Sequence, residues 1–219
     1  MSGRRASRWQ QLAGGASGAD YAARFARLAA SGADMHGEAS FCAALVPAGA
    51  RVLDAGCGTG RVAIRLAEQG FHVVGLDVDE SMLAVAREQA PDLEWVLADL
   101  AETGRVLGDA PPFDLVVLAG NVVPLVAEGG LLEVVGSVAA VLAPAGALVA
   151  GFGLDAGHLP RGCPVTPLEE YDAALAAHGL AVVDRFATWD ARPFDDGAGY
   201  AVTVARRPPS GAGGARSHG

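Results

Sequence analysis

One stretch, Arg51–Gly60, constrains the fold of this chain more than any other. It begins with apolar residues typical of a short buried strand, and glycines then follow at alternate positions, Gly56, Gly58 and Gly60. Glycine adopts turn conformations freely and has no side chain, so backbone N–H groups in such a turn can come close to a ligand. The stretch predicts a buried strand that ends in a ligand-binding turn.

The residues after this turn predict a helix and a second strand. Residues 61–69 carry apolar side chains at helical positions, and Gly70 is a typical C-terminal stop. Residues 71–76 then form an apolar run that ends at Asp77. A carboxylate at the tip of the second strand can accept hydrogen bonds from both hydroxyls of a ribose. Together these elements predict a nucleoside-binding strand–turn–helix–strand unit.

The spacing of the glycines distinguishes between classes of nucleoside. The sequence Asp54-Ala-Gly-Cys-Gly-Thr-Gly60 differs from the Gly-x-Gly-x-x-Gly fingerprint of dinucleotide-binding proteins. It resembles the first motif of the class I S-adenosylmethionine-dependent methyltransferases, and the resemblance extends over roughly residues 50–152. It implies a Rossmann-like α/β fold with a doubly wound seven-stranded sheet, mostly parallel with an antiparallel last strand, and helices on both faces. The implied cofactor is S-adenosyl-L-methionine, with S-adenosylhomocysteine as the product.

The resemblance also implies roles for particular residues. Asp77 would bind the ribose, and Val78 and Met82 would flank the adenine ring. Ala98-Asp99-Leu100 is similar to the adenine-binding segment of the family, in which the carboxylate of Asp99 accepts from the exocyclic amine and Leu100 accompanies it. The glycine turn, with the acid Asp54, would lie against the methionine end of the cofactor.

The acceptor side of the site is less clearly marked. Gly120 and Asn121 follow the apolar run 115–119, which is typical of a central parallel strand, and ligands bind at the carboxyl ends of such strands. In the methyltransferase family that this chain resembles, elements before the first strand commonly form a lid. Tyr21, His36 and Glu38 are candidates for residues of such a lid. Each of these three also fits an ordinary structural position.

A catalytic base need not appear as a motif, because the cofactor already carries an activated leaving group. His36 and His158 are the candidate bases, since imidazole is the commonest general base in enzymes.

Composition narrows the class of partner. The chain has 16 basic and 25 acidic residues, for a formal net charge of −9, which disfavours a nucleic-acid substrate. We therefore expect a small-molecule methyl acceptor. No apolar stretch is long enough for a membrane helix, and residues 1–11 have no apolar run typical of a secretion signal. The 3 cysteines are widely spaced, so we expect neither disulfides nor a metal site, and a cytoplasmic location.

The organisation predicted from composition is a single domain with flexible ends. Residues 1–18 and 208–219 are rich in glycine and small residues and are expected to be a flexible N-terminal tail and a disordered C-terminal tail. Residues 19–207 are expected to form one methyltransferase-like domain, with a helical lid at 19–49 and an α/β core at 50–207. The oligomeric state remains open between monomer and homodimer.

Two other functional interpretations remain. A nicotinamide-dependent oxidoreductase is disfavoured by the glycine spacing and by Asp54 at the strand tip. A non-catalytic module that binds S-adenosylmethionine is compatible with every motif, because the acceptor site is the part that the sequence leaves unidentified. Methyl transfer to a protein or an RNA also stays open.

Overall fold

The computed structural model describes residues 7–12, 18–21, 23, 27 and 36–208. The rest of the predicted N-terminal tail, part of the predicted helical lid at 19–49, and residues 209–219 of the predicted C-terminal tail lie outside the described residues. Residues 18–21, 23 and 27 are helical. Within the predicted tail, a short helix forms at Arg8–Leu12, which the sequence does not predict.

The helices carry the following bounds. They are α1 (Arg8–Leu12), α2 (Gly37–Ala43), α3 (Arg61–Glu68), α4 (Glu80–Gln89), a 3₁₀ helix (Leu100–Glu102), α5 (Thr103–Leu107), α6 (Val122–Leu125), α7 (Leu131–Ala140) and α8 (Leu168–Ala177). Helix α3 ends where the sequence predicts, because Gly70 takes up a left-handed conformation with φ of 89°. The first turn of α4 is capped by Asp79, whose side chain accepts from the N–H groups of Ser81 and Met82.

The strands form one sheet of seven members. They are β1 (Arg51–Ala55), β2 (His72–Asp77), β3 (Glu94–Leu97), β4 (Phe113–Leu118), β5 (Leu142–Gly153), β6 (Ala181–Phe186) and β7 (Tyr200–Arg206). Their order across the sheet is β3-β2-β1-β4-β5-β7-β6, and β7 runs antiparallel to both of its neighbours. This architecture confirms the predicted Rossmann-like sheet with an antiparallel last strand.

Both faces of the sheet are covered. Successive residues of β4 point to opposite faces, so that Val116 and Leu118 join the core under α7 and α8, whereas Leu115 and Val117 join the core under α2 and α3. All four side chains are buried. The continuous apolar run at the centre of the sheet is explained by this two-sided burial.

The connection into β5 is irregular. Residues 143–146, whose proline and glycine are typical of a turn, lie inside a longer strand, because β5 already pairs with Phe113 at Leu142. Ala145 has φ of 62°, and the register between β4 and β5 shifts between Phe113 and Leu115. The turn residues therefore form an irregularity within β5.

The sheet order puts β1 between β2 and β4. The connection after β1 leads to β2 on one side, and the connection after β4 leads to β5 on the other, which opens a crevice at the carboxyl ends of β1 and β4. Among the described residues, the structure contains no helix with the length and apolar character needed to cross a membrane.

Candidate active site

A cavity of about 470 Å³ lies in this crevice. Its size is within the range of small-molecule and cofactor pockets. The wall includes most of the residues that the sequence predicts for the site: Tyr21, Asp54, Gly56, Gly58, Asp77, Val78, Met82, Asp99, Leu100 and Gly120. The motifs spread along the chain thus converge on one cavity.

The glycine turn is shaped by hydrogen bonds to β2. The N–H groups of Gly56 and Cys57 both donate to the carbonyl oxygen of Leu76, at 2.7 and 3.0 Å. The N–H of Gly58 donates to Oδ2 of Asp77 at 2.8 Å. These donors, which the sequence assigns to a ligand, are therefore used within the protein. The turn contributes space instead, since a Cβ at Gly58 would meet no atom within 4 Å.

The outer glycines of the turn are required by packing. A Cβ at Gly56 would lie 2.7 Å from Cγ2 of Val122, and a Cβ at Gly60 would lie 2.4 Å from Cη2 of Trp95. Both glycines also have positive φ, 81° and 83°. Gly60 is not among the described residues on the cavity wall. It lies against the ring of Trp95 instead.

Asp77 lies at the tip of β2 with 8% of its surface exposed. Its Oδ2 accepts from Gly58 N–H, and its Oδ1 accepts from Asp79 N–H at 2.9 Å. Burial raises the pKa of Asp77, and these two N–H donors oppose the rise without cancelling it. Each carboxylate oxygen keeps a second lone pair, so the group has acceptor capacity left for hydroxyl donors from the cavity.

Asp54 lies at the end of β1 and is 2% exposed. Its Oδ2 accepts from the N–H of Ala63 at 3.0 Å. Burial raises the pKa of Asp54 to about 7, while the Ala63 N–H and the charge of Arg61 act in the opposite direction. A cation bound in the cavity beside Asp54 would favour its ionised form.

Arg61 is a basic residue of the cavity wall, and its guanidinium is held by Glu38. Nη1 and Nη2 donate to the two carboxylate oxygens of Glu38 at 2.9 and 2.5 Å. Both side chains are largely buried, and such paired hydrogen bonds fix the guanidinium strongly. The pair also joins α2 to the first residue of α3.

The opposite end of the cavity is formed after β2 and β3. Asp99 begins the 3₁₀ helix, and its Oδ1 accepts from the N–H of Ala101 at 2.9 Å. Leu100 lies beside it on the wall, and Val78 and Met82 supply apolar surface from the start of α4. A carboxylate next to apolar surface suits a flat heterocycle that carries an amino group.

Comparison with known proteins identifies the family. A family model described as a methyltransferase domain matches residues 52–146. The crystal structure of a TehB-like SAM-dependent methyltransferase from Corynebacterium glutamicum is 34% identical, with a TM-score of 0.77. The match covers 87% of this chain and 97% of that chain. This chain belongs to the class I S-adenosylmethionine-dependent methyltransferases.

Other relatives of this chain support the assignment. YqeM, a methyltransferase-family protein of Bacillus subtilis, is 36% identical over 107 residues, which are 48% of this chain and 43% of YqeM. The chain thus spans less than half the length of the curated relatives that it matches first. CalS10, an amino pentose methyltransferase of Micromonospora echinaspora solved with S-adenosylmethionine bound, is 25% identical with a TM-score of 0.63. That match covers 84% of this chain and 96% of CalS10.

The cavity fits the cofactor of the family. S-adenosylmethionine combines a sulfonium cation and an amino acid end, which carries an ammonium group, with a ribose and an adenine. The buried carboxylates of Asp54 and Asp77 are acceptors suited to an ammonium group and to ribose hydroxyls. The open space beside Gly58 is the kind of backbone surface that a ligand can approach closely.

Four other predicted residues of the methyltransferase lie away from the wall among the described residues. Asn121 joins the ends of β4 and β5: its Nδ2 donates to the carbonyl of His158 at 3.0 Å, and its Oδ1 accepts from Gly153 N–H at 2.7 Å. His158 is exposed, with Nδ1 2.9 Å from Oδ1 of Asp155. His36 is exposed before α2, and Glu38 reaches the site only through Arg61.

Sequence reasoning missed part of the cavity wall. Ser7 and Trp9 from the short N-terminal helix line the cavity, as do Val122, Leu125 and Glu133 after β4. The only sequence signal for Trp9 was an aromatic residue within an Arg-rich segment. The residues after β4 form α6 and the start of α7, and their apolar character is the same as that of ordinary core helices.

Proposed function

We propose that this methyltransferase transfers a methyl group from S-adenosylmethionine to a small-molecule acceptor. The observation that carries the proposal is the buried Asp77 carboxylate beside a cavity of about 470 Å³ at the switch point of the sheet. When bound, the cofactor supplies a methyl group on a sulfonium, which passes to the acceptor nucleophile by in-line displacement. The protein has to bind the cofactor and the acceptor, orient them toward each other and exclude water.

The nucleoside half of the cofactor is assigned to the residues after β2 and β3. Asp77 accepts hydrogen bonds from the ribose hydroxyls through the lone pairs that Gly58 and Asp79 leave available. Asp99 accepts from the exocyclic amine of adenine, and Val78 and Met82 cover the faces of the ring. These assignments rest on the shared cavity wall and on the family.

The methionine half is assigned to the end of β1. Asp54 faces the α-ammonium group, and the turn around Gly58 gives the chain of the amino acid room to pass. The bidentate pair between Arg61 and Glu38 holds the start of α3 against α2 at this end of the cavity. Gly120, with φ of 73°, lets the chain turn away after β4, where the methyl group would lie.

The charge of the wall favours neutral or cationic acceptors. Carboxylates on the described wall include Asp54, Asp77, Asp99, Glu102 and Glu133, and the guanidinium of Arg61 is already bound to Glu38. An acceptor that carries a carboxylate or phosphate would meet repulsion rather than a paired cation. A nucleic-acid acceptor is disfavoured for the same reason. The amino pentose substrate of CalS10 is a small molecule of the favoured kind.

The acceptor pocket is assigned to the side of the cavity near Tyr21, which lines the wall. His36 and His158 stay predictions as general bases, because neither lies on the described wall. Glu38 acts on the pocket through Arg61. Asn121 acts on it by fixing the chain between β4 and β5 to the end of β5. Residues 19–207 are proposed as one domain, of which α2 belongs to the packed core and not to a separate lid.

Ligand-dependent stability tests the cofactor assignment. Thermal unfolding is measured with S-adenosylhomocysteine, S-adenosylmethionine or NAD, and a ligand at about a hundred times its dissociation constant should add about 2.7 kcal/mol. We expect stabilisation by the two sulfur nucleosides, lost in Asp77→Ala. Asp114→Ala is the matched control, because Asp114 binds Arg51 N–H at the opposite end of β1. Stabilisation by NAD alone would refute the proposal.

Methyl transfer itself needs a second assay. Neutral, amine-bearing and anionic small molecules are incubated with the protein and S-adenosylmethionine carrying a labelled methyl group. We expect label in an amine or a neutral hydroxyl compound. Binding of the cofactor without transfer to any class would favour a non-catalytic binding module. Transfer to carboxylate acceptors would contradict the charge argument.

A further inference from the structure

The short helix α1 crosses the cofactor cavity. The indole Nε1 of Trp9 donates to Oδ2 of Asp79 at 2.9 Å, and Nη1 of Arg8 donates to the carbonyl of Pro124 at 3.3 Å. Asp79 follows β2 and Pro124 lies in α6 after β4, whereas β1 lies between these two strands. Helix α1 is therefore attached to both rims of the crevice and passes over the end of β1.

Trp9 is part of the wall and contacts a second aromatic residue there. Its ring packs edge-to-face against Tyr21, with centroids 6.0 Å apart and an interplanar angle of 88°. Both rings line the cavity. Nearby, Gly18 N–H donates to Oγ of Ser81 at 3.0 Å, so a second point of the N-terminal segment is attached to the start of α4. The indole ring of Trp9 is thus held by Asp79 through its Nε1 and by the ring of Tyr21.

The partner of Trp9 is directly connected to the proposed ribose carboxylate. The N–H of Asp79 donates to Oδ1 of Asp77 at 2.9 Å, while Oδ1 of Asp79 accepts from Ser81 N–H at 2.9 Å. The pKa of Asp79 is lowered, since hydrogen bonds from Trp9 and Ser81 outweigh its partial burial. Asp79 is thus ionised at neutral pH, and its second oxygen is available to fix the indole.

We propose that Trp9 is a further cofactor-binding residue, whose indole covers the nucleoside half of S-adenosylmethionine and is positioned by Asp79. The inference rests on the proposed function. The indole donates to Asp79, and the N–H of Asp79 donates to Asp77, the residue assigned to the ribose. A large aromatic ring over a nucleoside excludes water and adds contact area, so it slows dissociation of the cofactor.

The experiment measures dissociation constants by titration calorimetry for two probes, S-adenosylhomocysteine and 5′-methylthioadenosine, which lacks the amino acid end. Trp9→Ala should weaken both probes about tenfold, because the ring faces the half that they share. Trp9→Phe keeps a ring but removes the indole donor, and should weaken both about threefold. Asp79→Asn keeps a single oxygen for the N–H of Ser81 and turns an amide NH₂, which cannot accept, toward the indole. It should give a similar loss, and combining it with Trp9→Phe should add little, since both remove the hydrogen bond of the indole.

Trp189→Phe is the matched control. Its indole Nε1 donates to the hydroxyl of Tyr200 at 3.2 Å, and it is outside the described cavity wall. This variant should bind both probes as the wild type does. Thermal unfolding without ligand, recorded for every variant, separates a loss of affinity from a loss of folded protein.

The outcomes are separable. Wild-type affinity for both probes in Trp9→Ala overturns the inference and leaves the proposed function intact, provided that Asp77→Ala still loses binding. A loss for S-adenosylhomocysteine alone overturns the placement of Trp9 over the nucleoside half. A wild-type protein that binds neither probe refutes the proposed function, and this inference with it.

Discussion

Asp54 gives the folded protein a pH dependence that an amide in its place should remove. Burial raises the pKa of Asp54 to about 7, against an ordinary value of 3.8. Between these values the folded protein keeps a proton on Asp54 that the unfolded chain has released. The free energy of unfolding therefore falls as pH rises through this window. A pKa difference of this size corresponds to about 4 kcal/mol once the pH exceeds both values.

The substitution Asp54→Asn isolates this contribution. Asparagine retains a side-chain oxygen that can accept the N–H of Ala63, which Asp54 binds at 3.0 Å, but it does not ionise. Urea unfolding of both proteins without ligand, at pH 5, 6, 7 and 8, gives the difference in stability at each pH. From pH 5 to 7 the wild type should lose about 2–3 kcal/mol relative to the variant, with little further change above pH 8. If the stabilities of the wild type and of Asp54→Asn change with pH in parallel, the raised pKa of Asp54 is refuted.

Cofactor binding should follow the opposite trend. Only the ionised form of Asp54 attracts the ammonium group assigned to it, so the affinity for S-adenosylmethionine should rise with pH towards about 7. Calorimetric titrations over the same pH series should show this rise in the wild type and not in Asp54→Asn. An identical pH profile in the two proteins would mean that the ammonium group lies elsewhere.

Three further substitutions test local structure. Gly60→Ala combines φ of 83° with a Cβ 2.4 Å from the ring of Trp95, and should cost about 2–4 kcal/mol. Gly58→Ala, with φ of 54° and no atom near its Cβ, should cost only about 1–2 kcal/mol; equal losses in thermal unfolding would contradict the role of Trp95. Asn121→Ala removes the bonds to the carbonyl of His158 and to Gly153 N–H, and should cost about 1–3 kcal/mol and speed hydrogen exchange at Gly153. Unchanged protection of that amide would count against the bridge.

The fold and part of the cavity wall could be predicted because their signals are local. The apolar run at 115–119 requires a strand covered on both faces, and a glycine turn followed by a carboxylate at Asp77 requires a strand–turn–helix–strand unit. In a parallel sheet, residues at the carboxyl ends of neighbouring strands come together whatever their distance in sequence. Asp54, Asp77 and Asp99 were found in this way, each at or directly after its strand.

The remaining residues depend on contacts between distant segments. Trp9 joins the wall through Asp79, which is 70 positions away, and its helix α1 has 5 residues and no amphipathic period to detect. Asn121 occupies the end of β4, as a site residue would, but its left-handed backbone and both ends of its amide serve the chain after β5. Sequence spacing locates a residue at the sheet edge, whereas its side-chain partners decide whether it faces the ligand.

The glycine turn shows how folding and binding are combined in the same atoms. The N–H of Gly58 is satisfied by Asp77, so the turn is closed before a ligand arrives, and the carboxylate is aimed by the same bond. Burial raises the pKa of both Asp54 and Asp77, which means that ionising them costs folding free energy. A ligand with a cationic end and hydroxyl donors offsets this cost, whereas an anionic or uncharged apolar ligand does not. We therefore expect the cavity to favour a nucleoside with a cationic group, since that charge would stabilise the ionised form of Asp54.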